Sequence, residues 1–286
     1  MRAIEINQLN ALSVDEVRRR AGDRLLVLDT IDDLHTHFAQ SIAARLGTNN
    51  RAGRPTRLII PYGPVAQYPI LRDILNRERI SLKDSTLYFM DEYADASGSV
   101  VAPQHPLSFR GAIAWLWDAL EPELRPKAEN VRFPDQNNWG AIARELSSNP
   151  VEACYGGIGV HGHVAFNEPE AGVEKSSVRL VDLNDFSVTI NSIRSRIGGD
   201  LENFPHKAWT LGMRECLGAE RIELYCRNDI PGIDWANTVL RLAVLGEPGD
   251  DYPVTWIRKH ANYQVVTDRA TAQCPVNLLP IEKARN

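Results

Sequence analysis

Short apolar segments that alternate with helical patterns constrain the fold of this chain more than any other feature of its sequence. Such segments, bounded by turn residues, predict buried strands of a mostly parallel sheet with helices on both faces. We therefore predict an α/β fold with an open, Rossmann-like sheet. The strand candidates are Leu25 to Leu28, Arg57 to Pro61, Thr86 to Met90, Cys154 to Val160, Ser187 to Ile190, Ala208 to Gly212, Arg221 to Cys226 and Tyr263 to Thr267.

Helix signals fall between these strands. Ser13 followed by Glu16, and Thr30 followed by Asp33, are typical of residues that cap helix N-termini. The apolar residues after Thr30 recur at helical spacing up to Gly47, where we expect that helix to end. Further helices are predicted at about Tyr68 to Glu78, Pro106 to Leu120, Trp139 to Leu146 and Trp235 to Leu245.

The chain contains no internal repeat and no low-complexity linker. We therefore predict one α/β domain from residue 25 to residue 286, preceded by an N-terminal extension, residues 1–24. A small excursion from this domain is expected around Glu170 to His206.

Composition excludes several classes of protein. The formal net charge of −5 argues against a nucleic-acid-binding surface. No apolar segment has the roughly 18 residues of a transmembrane helix, and the N-terminus lacks a signal-peptide pattern, so we expect no membrane partner. The four cysteines form no C-x-x-C pair and are interpreted as thiols in a reducing compartment. A cytoplasmic protein is the resulting expectation.

Two polar clusters follow strand candidates, which is where open α/β sheets bind their ligands. The first is Phe89 to Tyr93, in which Asp91 could abstract a carbon-bound proton. The second is Gly157 to Pro169, in which His163 has a side chain whose ordinary pKa lies near neutrality, and Glu168 could orient it. Each cluster alone is also typical of a cap or a glycine-rich turn, and a metal site at the two histidines of the second cluster is disfavoured.

Together the clusters closely resemble the glucosamine-6-phosphate deaminase family, which is related more distantly to 6-phosphogluconolactonases. The motifs that carry the resemblance are MDEY at Met90, HP-x-S at His105, G-x-G-x-x-GH-x-AFNEP at Gly157, INS at Ile190 and P-x-x-A-x-T-x-G at Pro205. The resemblance runs from about Leu25 to about Asp268, and it implies a fold of the NagB, RpiA and CoA-transferase type.

What the resemblance implies is an aldose–ketose isomerisation of an amino sugar with loss of ammonia. Asp91 would move a proton between C2 and C1, and His163, supported by Glu168, would protonate the ring oxygen. No cofactor or metal is implied. The partners are a small sugar or sugar-phosphate substrate and, as is common in the family, further copies of the chain. The candidate substrate-binding residues are Tyr62, Gly63, Glu92, Gly159, Gly162, Asn167, Arg194 and Arg196.

His161 departs from the family pattern, which has an aspartate at this position. A carboxylate would stabilise a protonated His163, whereas a second imidazole does not. We expect His161 to belong to the catalytic loop and His163 to be less readily protonated than its family counterpart.

The phosphate-binding elements of the family are also altered in this chain. The loop after the first core strand is Pro61 to Gln67, in which Gly63 remains but Pro64 has no N–H to donate. The family's phosphate-binding lysine is missing near Asp229 to Pro231. The sequence therefore suggests a substrate without the usual 6-phosphate, with Tyr62 stacking on a sugar ring.

Two alternatives stay open from sequence. One is a sugar lactone hydrolase, in which His163 would activate water. The other is a non-catalytic sugar-sensing module, which the retained Asp91 and His163 disfavour.

Overall fold

The computed structural model describes residues 2–230 and 232–275. The α-helices are α1 (Arg2–Asn10), α2 (Val14–Ala21), α3 (Ile31–Arg51), α4 (Gln67–Glu78), α5 (Phe109–Asp118), α6 (Trp139–Ser148), α7 (Asp185–Arg194), α8 (Met213–Leu217) and α9 (Ala236–Leu245). The strands are β1 (Leu25–Leu28), β2 (Thr56–Ile60), β3 (Ser85–Phe89), β4 (Asp91–Ala94), β5 (Val131–Arg132), β6 (Ala153–Gly157), β7 (Arg179–Asp182), β8 (Lys207–Thr210), β9 (Ile222–Cys226) and β10 (Tyr263–Asp268).

Seven strands form one sheet in the order β1-β10-β9-β6-β2-β3-β5. Every neighbouring pair in this sheet is parallel. The chain builds outward from β2 through β3 to β5, then returns to β6 on the other side of β2 and continues to β9 and β10. The strand order thus reverses between β2 and β6, and such a switch point opens a crevice at the carboxyl ends of the strands.

Helices cover both faces of this sheet, as the sequence pattern predicts. Successive residues of a strand point to opposite faces, so Leu58 and Ile60 of β2 pack with α3, α4 and α5, while Ile59 packs with α2, α6, α8 and α9. The central strands are therefore apolar on both sides, which explains why they appear in the sequence as continuous apolar segments.

A second sheet of three antiparallel strands, in the order β4-β8-β7, stands beside the first. The predicted excursion around Glu170 to His206 supplies β7 and α7 to this region. Asp91 begins β4, separated from the end of β3 at Phe89 by Met90 alone, and it is paired with Thr210 of β8. This pairing fixes the backbone of Asp91 in a strand rather than in a turn.

Residues 2–24 pack on the main domain. Val17 and Ala21 of α2 lie in the apolar core with α9, and Arg2 forms an ion pair with Asp251 at 2.7 Å. Asn10 donates a hydrogen bond to Thr238 at 3.1 Å. The predicted domain reaches residue 286, and its positions 276–286 lie outside the described residues.

Three local predictions need correction. Ser187 to Ile190 is helical, within α7, because the Asn184 side chain accepts a hydrogen bond from the Ser187 N–H and so caps a helix. Helix α3 does not end at Gly47 but continues to Arg51, and Gly47 packs closely against Ile80. Helix α5 begins at Phe109 rather than near Pro106, because Ser108 is its N-cap.

All four cysteines are free thiols. None of the helices in the described part of the chain has both the length and the apolar character needed to cross a membrane.

Candidate active site

A cavity of about 560 Å³ opens at the switch point of the main sheet. Its walls are the segments that follow the carboxyl ends of β2, β3, β6 and β9, together with residues from the end of α7 and the segment before α5. A volume of this size is typical of small-molecule sites. Of the predicted site residues, those that line it are Tyr62, Gly63, Asp91, Gly159, His163, Arg194 and Arg196.

Asp91 enters this cavity from the start of β4, with 8% of its surface exposed. Burial raises the pKa of its carboxyl from 3.8 to about 8, and the charge of Glu92 contributes in the same direction. A carboxyl whose pKa lies near the working pH can both take up and return a proton, as general acid–base catalysis requires.

His163 lies in the wall formed after β6, with 9% of its surface exposed. Its imidazole packs directly over Gly159, where an added Cβ would lie 1.9 Å from Nε2. Only glycine admits the ring at this position, and the Gly159 N–H also donates to the His163 carbonyl at 2.9 Å. Burial lowers the pKa of His163 to about 3, and the charges of Arg194 and His161 add to this effect. The ring is therefore neutral over the physiological pH range.

Glu168 does not line the cavity, and within the described residues it makes no hydrogen bond to His163. Its carboxylate accepts instead from the Asn184 N–H at 2.7 Å, beside the start of α7. Ser187 of the same helix lies between the two groups. Its hydroxyl is 3.5 Å from His163 Nδ1. Burial raises the pKa of Glu168, and a hydrogen bond with Ser187 opposes part of this effect. Any support of His163 by Glu168 is thus indirect.

His161 also lies outside the cavity wall. Its backbone has a φ of 57°, and its ring packs edge-on against Phe186 at a centroid distance of 4.3 Å. A positive charge on this ring would lower the pKa of His163, and the left-handed backbone of His161 shapes the loop that carries His163. A role for its side chain as a proton carrier has no geometric support.

Glu92 points away from Asp91, since successive strand residues face opposite sides. Its carboxylate accepts hydrogen bonds from the N–H groups of Phe109 and Arg110, at 3.0 and 2.8 Å, and from the Ser108 hydroxyl at 3.1 Å. It thereby anchors the N-terminus of α5, where a negative charge is favourable. The predicted substrate contact at Glu92 is replaced by this structural role.

Gly162 and Asn167 are likewise structural in position. Gly162 has a φ of 67° and packs against Val254. The Asn167 amide donates to the Val164 and Leu211 carbonyls at 2.9 and 2.8 Å. These contacts fix the course of the loop that carries His163.

Tyr62 contributes an aromatic wall to the cavity. Its ring stacks on Phe109 with centroids 4.8 Å apart, and Phe109 in turn contacts Tyr93 and Phe166. All four aromatic residues line the cavity. Such a surface suits the C–H face of a sugar, although the ring of Tyr62 already has one aromatic partner.

Sequence reasoning missed Arg227, which also lines the cavity and has a side chain only 10% exposed. It forms an ion pair with Asp229, which in turn pairs with Arg194; both N···O distances are 2.8 Å. Arg227 directly follows β9, so the rule that selected Asp91 and His163 applied to it as well. Pro231, the end of the segment without the family lysine, lies outside the described residues.

A group of three or more histidine, cysteine or acidic side chains able to hold a metal ion is not found among residues 2–230 and 232–275. The polar groups of the site are instead suited to proton transfer and to hydrogen bonding with hydroxyl groups.

Sequence comparison relates the chain to curated enzymes over most of its length. A glucosamine-6-phosphate deaminase of Mycoplasma mycoides subsp. mycoides is 23% identical over 259 residues, covering 89% of this chain and 98% of that protein. The glucosamine-6-phosphate deaminase of Rhodopirellula baltica is 27% identical over 216 residues, covering 73% and 79%. No protein-family model matches the chain.

Structural comparison agrees. A monomeric glucosamine-6-phosphate deaminase, described as a missing link of the NagB superfamily, superposes with a TM-score of 0.74 at 21% identity, covering 87% of this chain and 98% of the other. A 6-phosphogluconolactonase of Shewanella baltica gives 0.59 at 18% identity, covering 85% and 97%. The resemblance indicated by the motifs is therefore confirmed: the chain is similar in sequence to glucosamine-6-phosphate deaminases and has the α/β fold seen in both groups of enzymes.

Proposed function

We propose that this chain is an amino-sugar isomerase and deaminase that works by general acid–base catalysis without a cofactor. The observation that carries the proposal is that Asp91 and His163 line one cavity at the switch point of the sheet. Similarity to proteins named glucosamine-6-phosphate deaminase supports the class of reaction.

In the proposed reaction the neutral His163 ring assists opening of the sugar by accepting the proton of the C1 hydroxyl and passing it to the ring oxygen as the bond between C1 and that oxygen breaks. The Asp91 carboxylate then removes the proton from C2 of the open aldose, and the electron pair moves toward the C1 carbonyl to give an enolamine. Return of a proton to C1 leaves an imine at C2, which water hydrolyses to a ketose and ammonia. The carbonyl and the amine supply the electron sink, so this sequence needs no organic cofactor.

The cavity supports such chemistry because it holds both groups in fixed, largely buried positions. The raised pKa of Asp91, about 8, keeps a large share of the carboxyl protonated at neutral pH in the empty site. A substrate amine or hydroxyl that hydrogen-bonds to the carboxylate would favour its ionised form.

Ammonia release from a panel of amino sugars, with and without a 6-phosphate, tests the proposal. Release from at least one sugar, reduced by a factor of about 10² or more in Asp91→Asn, is the expected result. Hydrolysis of a sugar lactone without ammonia release from any amino sugar would replace the proposal with lactonase activity. Binding of sugars without any turnover would indicate a sensor.

We also propose that the protein is cytoplasmic and that it forms a homo-oligomer. The four free thiols support a reducing compartment. The deaminase compared above is monomeric, whereas we expect a homo-oligomer here. Sedimentation velocity of the full chain would distinguish the two states.

A further inference from the structure

Asp229 occupies an unusual position inside the cavity, between two guanidinium groups. One carboxylate oxygen contacts Arg194 and the other contacts Arg227, each at 2.8 Å. The side chain of Arg227 is 10% exposed, that of Asp229 19% and that of Arg194 27%. Because all three residues line the cavity, this ion pair is part of the binding surface.

The arrangement is that of two arginines already holding an anion. Burial by itself would raise the pKa of Asp229, but the charges of Arg227 and Arg194 outweigh it and lower the pKa, so the carboxylate is ionised. A phosphate dianion brought to the same arginines would meet this negative charge in a partly buried setting, where like charges repel strongly.

The loop after β2, whose residues are all described, places no positively charged side chain in the cavity wall to offset that repulsion. Two of its residues in the cavity wall, Pro61 and Pro64, have no N–H to donate. Arg196 lines the exposed rim and forms no ion pair with any described residue. A single exposed cation of this kind is hydrated and screened, and it binds an anion weakly.

We propose that Asp229 takes the place of a substrate anion between Arg194 and Arg227, so that the cavity selects an amino sugar without a phosphate group. A free hydroxyl of the sugar would donate to Asp229 and accept from the arginines. This inference rests on the proposed function for the identity of the substrate, but the exclusion of the anion is a property of the cavity itself.

Titration with inorganic phosphate by isothermal calorimetry tests the exclusion directly. In Asp229→Asn the two arginines lose their partner, and we expect phosphate to bind at least about tenfold more tightly than to the unmodified protein. Asp29→Asn is the matched control, since it makes the same chemical change in an exposed ion pair with Arg269. It should bind phosphate as weakly as the unmodified protein. Equal phosphate affinity in all three proteins would overturn the proposal.

A second measurement does not depend on the folding of Asp229→Asn. Calorimetry compares the binding of glucosamine and of glucosamine 6-phosphate to the unmodified chain. The titrations are done at low temperature to slow any turnover, and ammonia release is followed in parallel. The proposal expects the uncharged sugar to bind at least as tightly as its phosphate. Tenfold tighter binding of the phosphorylated sugar would refute it. Both binding measurements are independent of ammonia release, so a failure of the proposed reaction would be recognised separately.

Discussion

Replacing Asp91 with asparagine is expected to stabilise the fold while it abolishes turnover. The carboxyl is buried beside the negative Glu92, and these two causes raise its pKa from 3.8 to about 8. In the unfolded chain the same group ionises near its ordinary value. The folded state therefore loses stability as the pH rises from about 4 through about 8, because the unfolded chain releases a proton that the folded chain retains.

The size of the effect follows from the same difference. At about 1.4 kcal/mol per pH unit, the interval from 3.8 to neutral pH gives an upper limit of roughly 4 kcal/mol. The open cavity admits water, and the effective dielectric near the site is well above that of a dry interior, so we expect a gain of about 1–2 kcal/mol for Asp91→Asn at pH 8. Below about pH 3 both states bind the proton, so the gain should vanish there, and it should be much smaller at pH 4.5 than at pH 8.

Urea denaturation followed by tryptophan fluorescence at pH 4.5 and pH 8 measures this difference. Asp95→Asn is a matched control, because Asp95 directly follows β4 but is exposed. Its pKa is lowered, and the largest cause is a hydrogen bond from the Ser97 hydroxyl. Its replacement should bring no gain that grows with pH. A stability gain for Asp91→Asn that is equal at the two pH values, or that turns into a loss at pH 8, would refute the reasoning.

Four further outcomes are expected. The kcat/KM of the amino sugar that is turned over should rise with pH up to about 8, since proton removal needs the Asp91 carboxylate; a flat profile from pH 6 to pH 9 would contradict this. In NMR titrations His163 should remain neutral down to pH 5, and a midpoint above 6 would be incompatible with its burial. Gly159→Ala should lower kcat by about tenfold or more because its Cβ would overlap the His163 ring, whereas Gly140→Ala, whose Cβ meets only an ordinary contact at 3.5 Å, should leave kcat unchanged. Glu92→Ala should reduce the free energy of unfolding by roughly 3 kcal/mol, because the N–H groups at the start of α5 lose their acceptor. Urea denaturation at pH 7 measures this loss, and a clearly smaller value would contradict the prediction.

Much of the fold was predictable because the central strands are apolar on both faces and so remain visible as continuous segments. The β4 strand was not, since DEYA is polar and its pairing with β8 depends on residues more than a hundred positions later. In the same way Val188, Thr189 and Ile190 favour a strand locally, but the Asn184 cap and the burial of Ser187 and Val188 in the fold impose a helix.

For the site, the rule that ligands bind beyond the carboxyl ends of strands located Asp91 and His163. It could not tell which residues of each polar cluster face the cavity. The family resemblance assigns Glu92 and Asn167 to the substrate, yet their side chains form hydrogen bonds with backbone groups of other segments. Arg227 was overlooked because no motif surrounds it, and Asp229 acquires its significance only from two arginines that the fold brings to it.

The adjacent acids Asp91 and Glu92 show how one dipeptide can serve two purposes. Strand geometry turns the first side chain toward the cavity and the second toward the start of α5. Yet the charge of the second still raises the pKa of the first. The Glu92 carboxylate, which anchors the N-terminus of α5, thus also helps to set the pH at which Asp91 exchanges a proton. A substitution that moved α5 away from Glu92 would therefore change the pKa of Asp91, even if every residue in the cavity wall stayed the same.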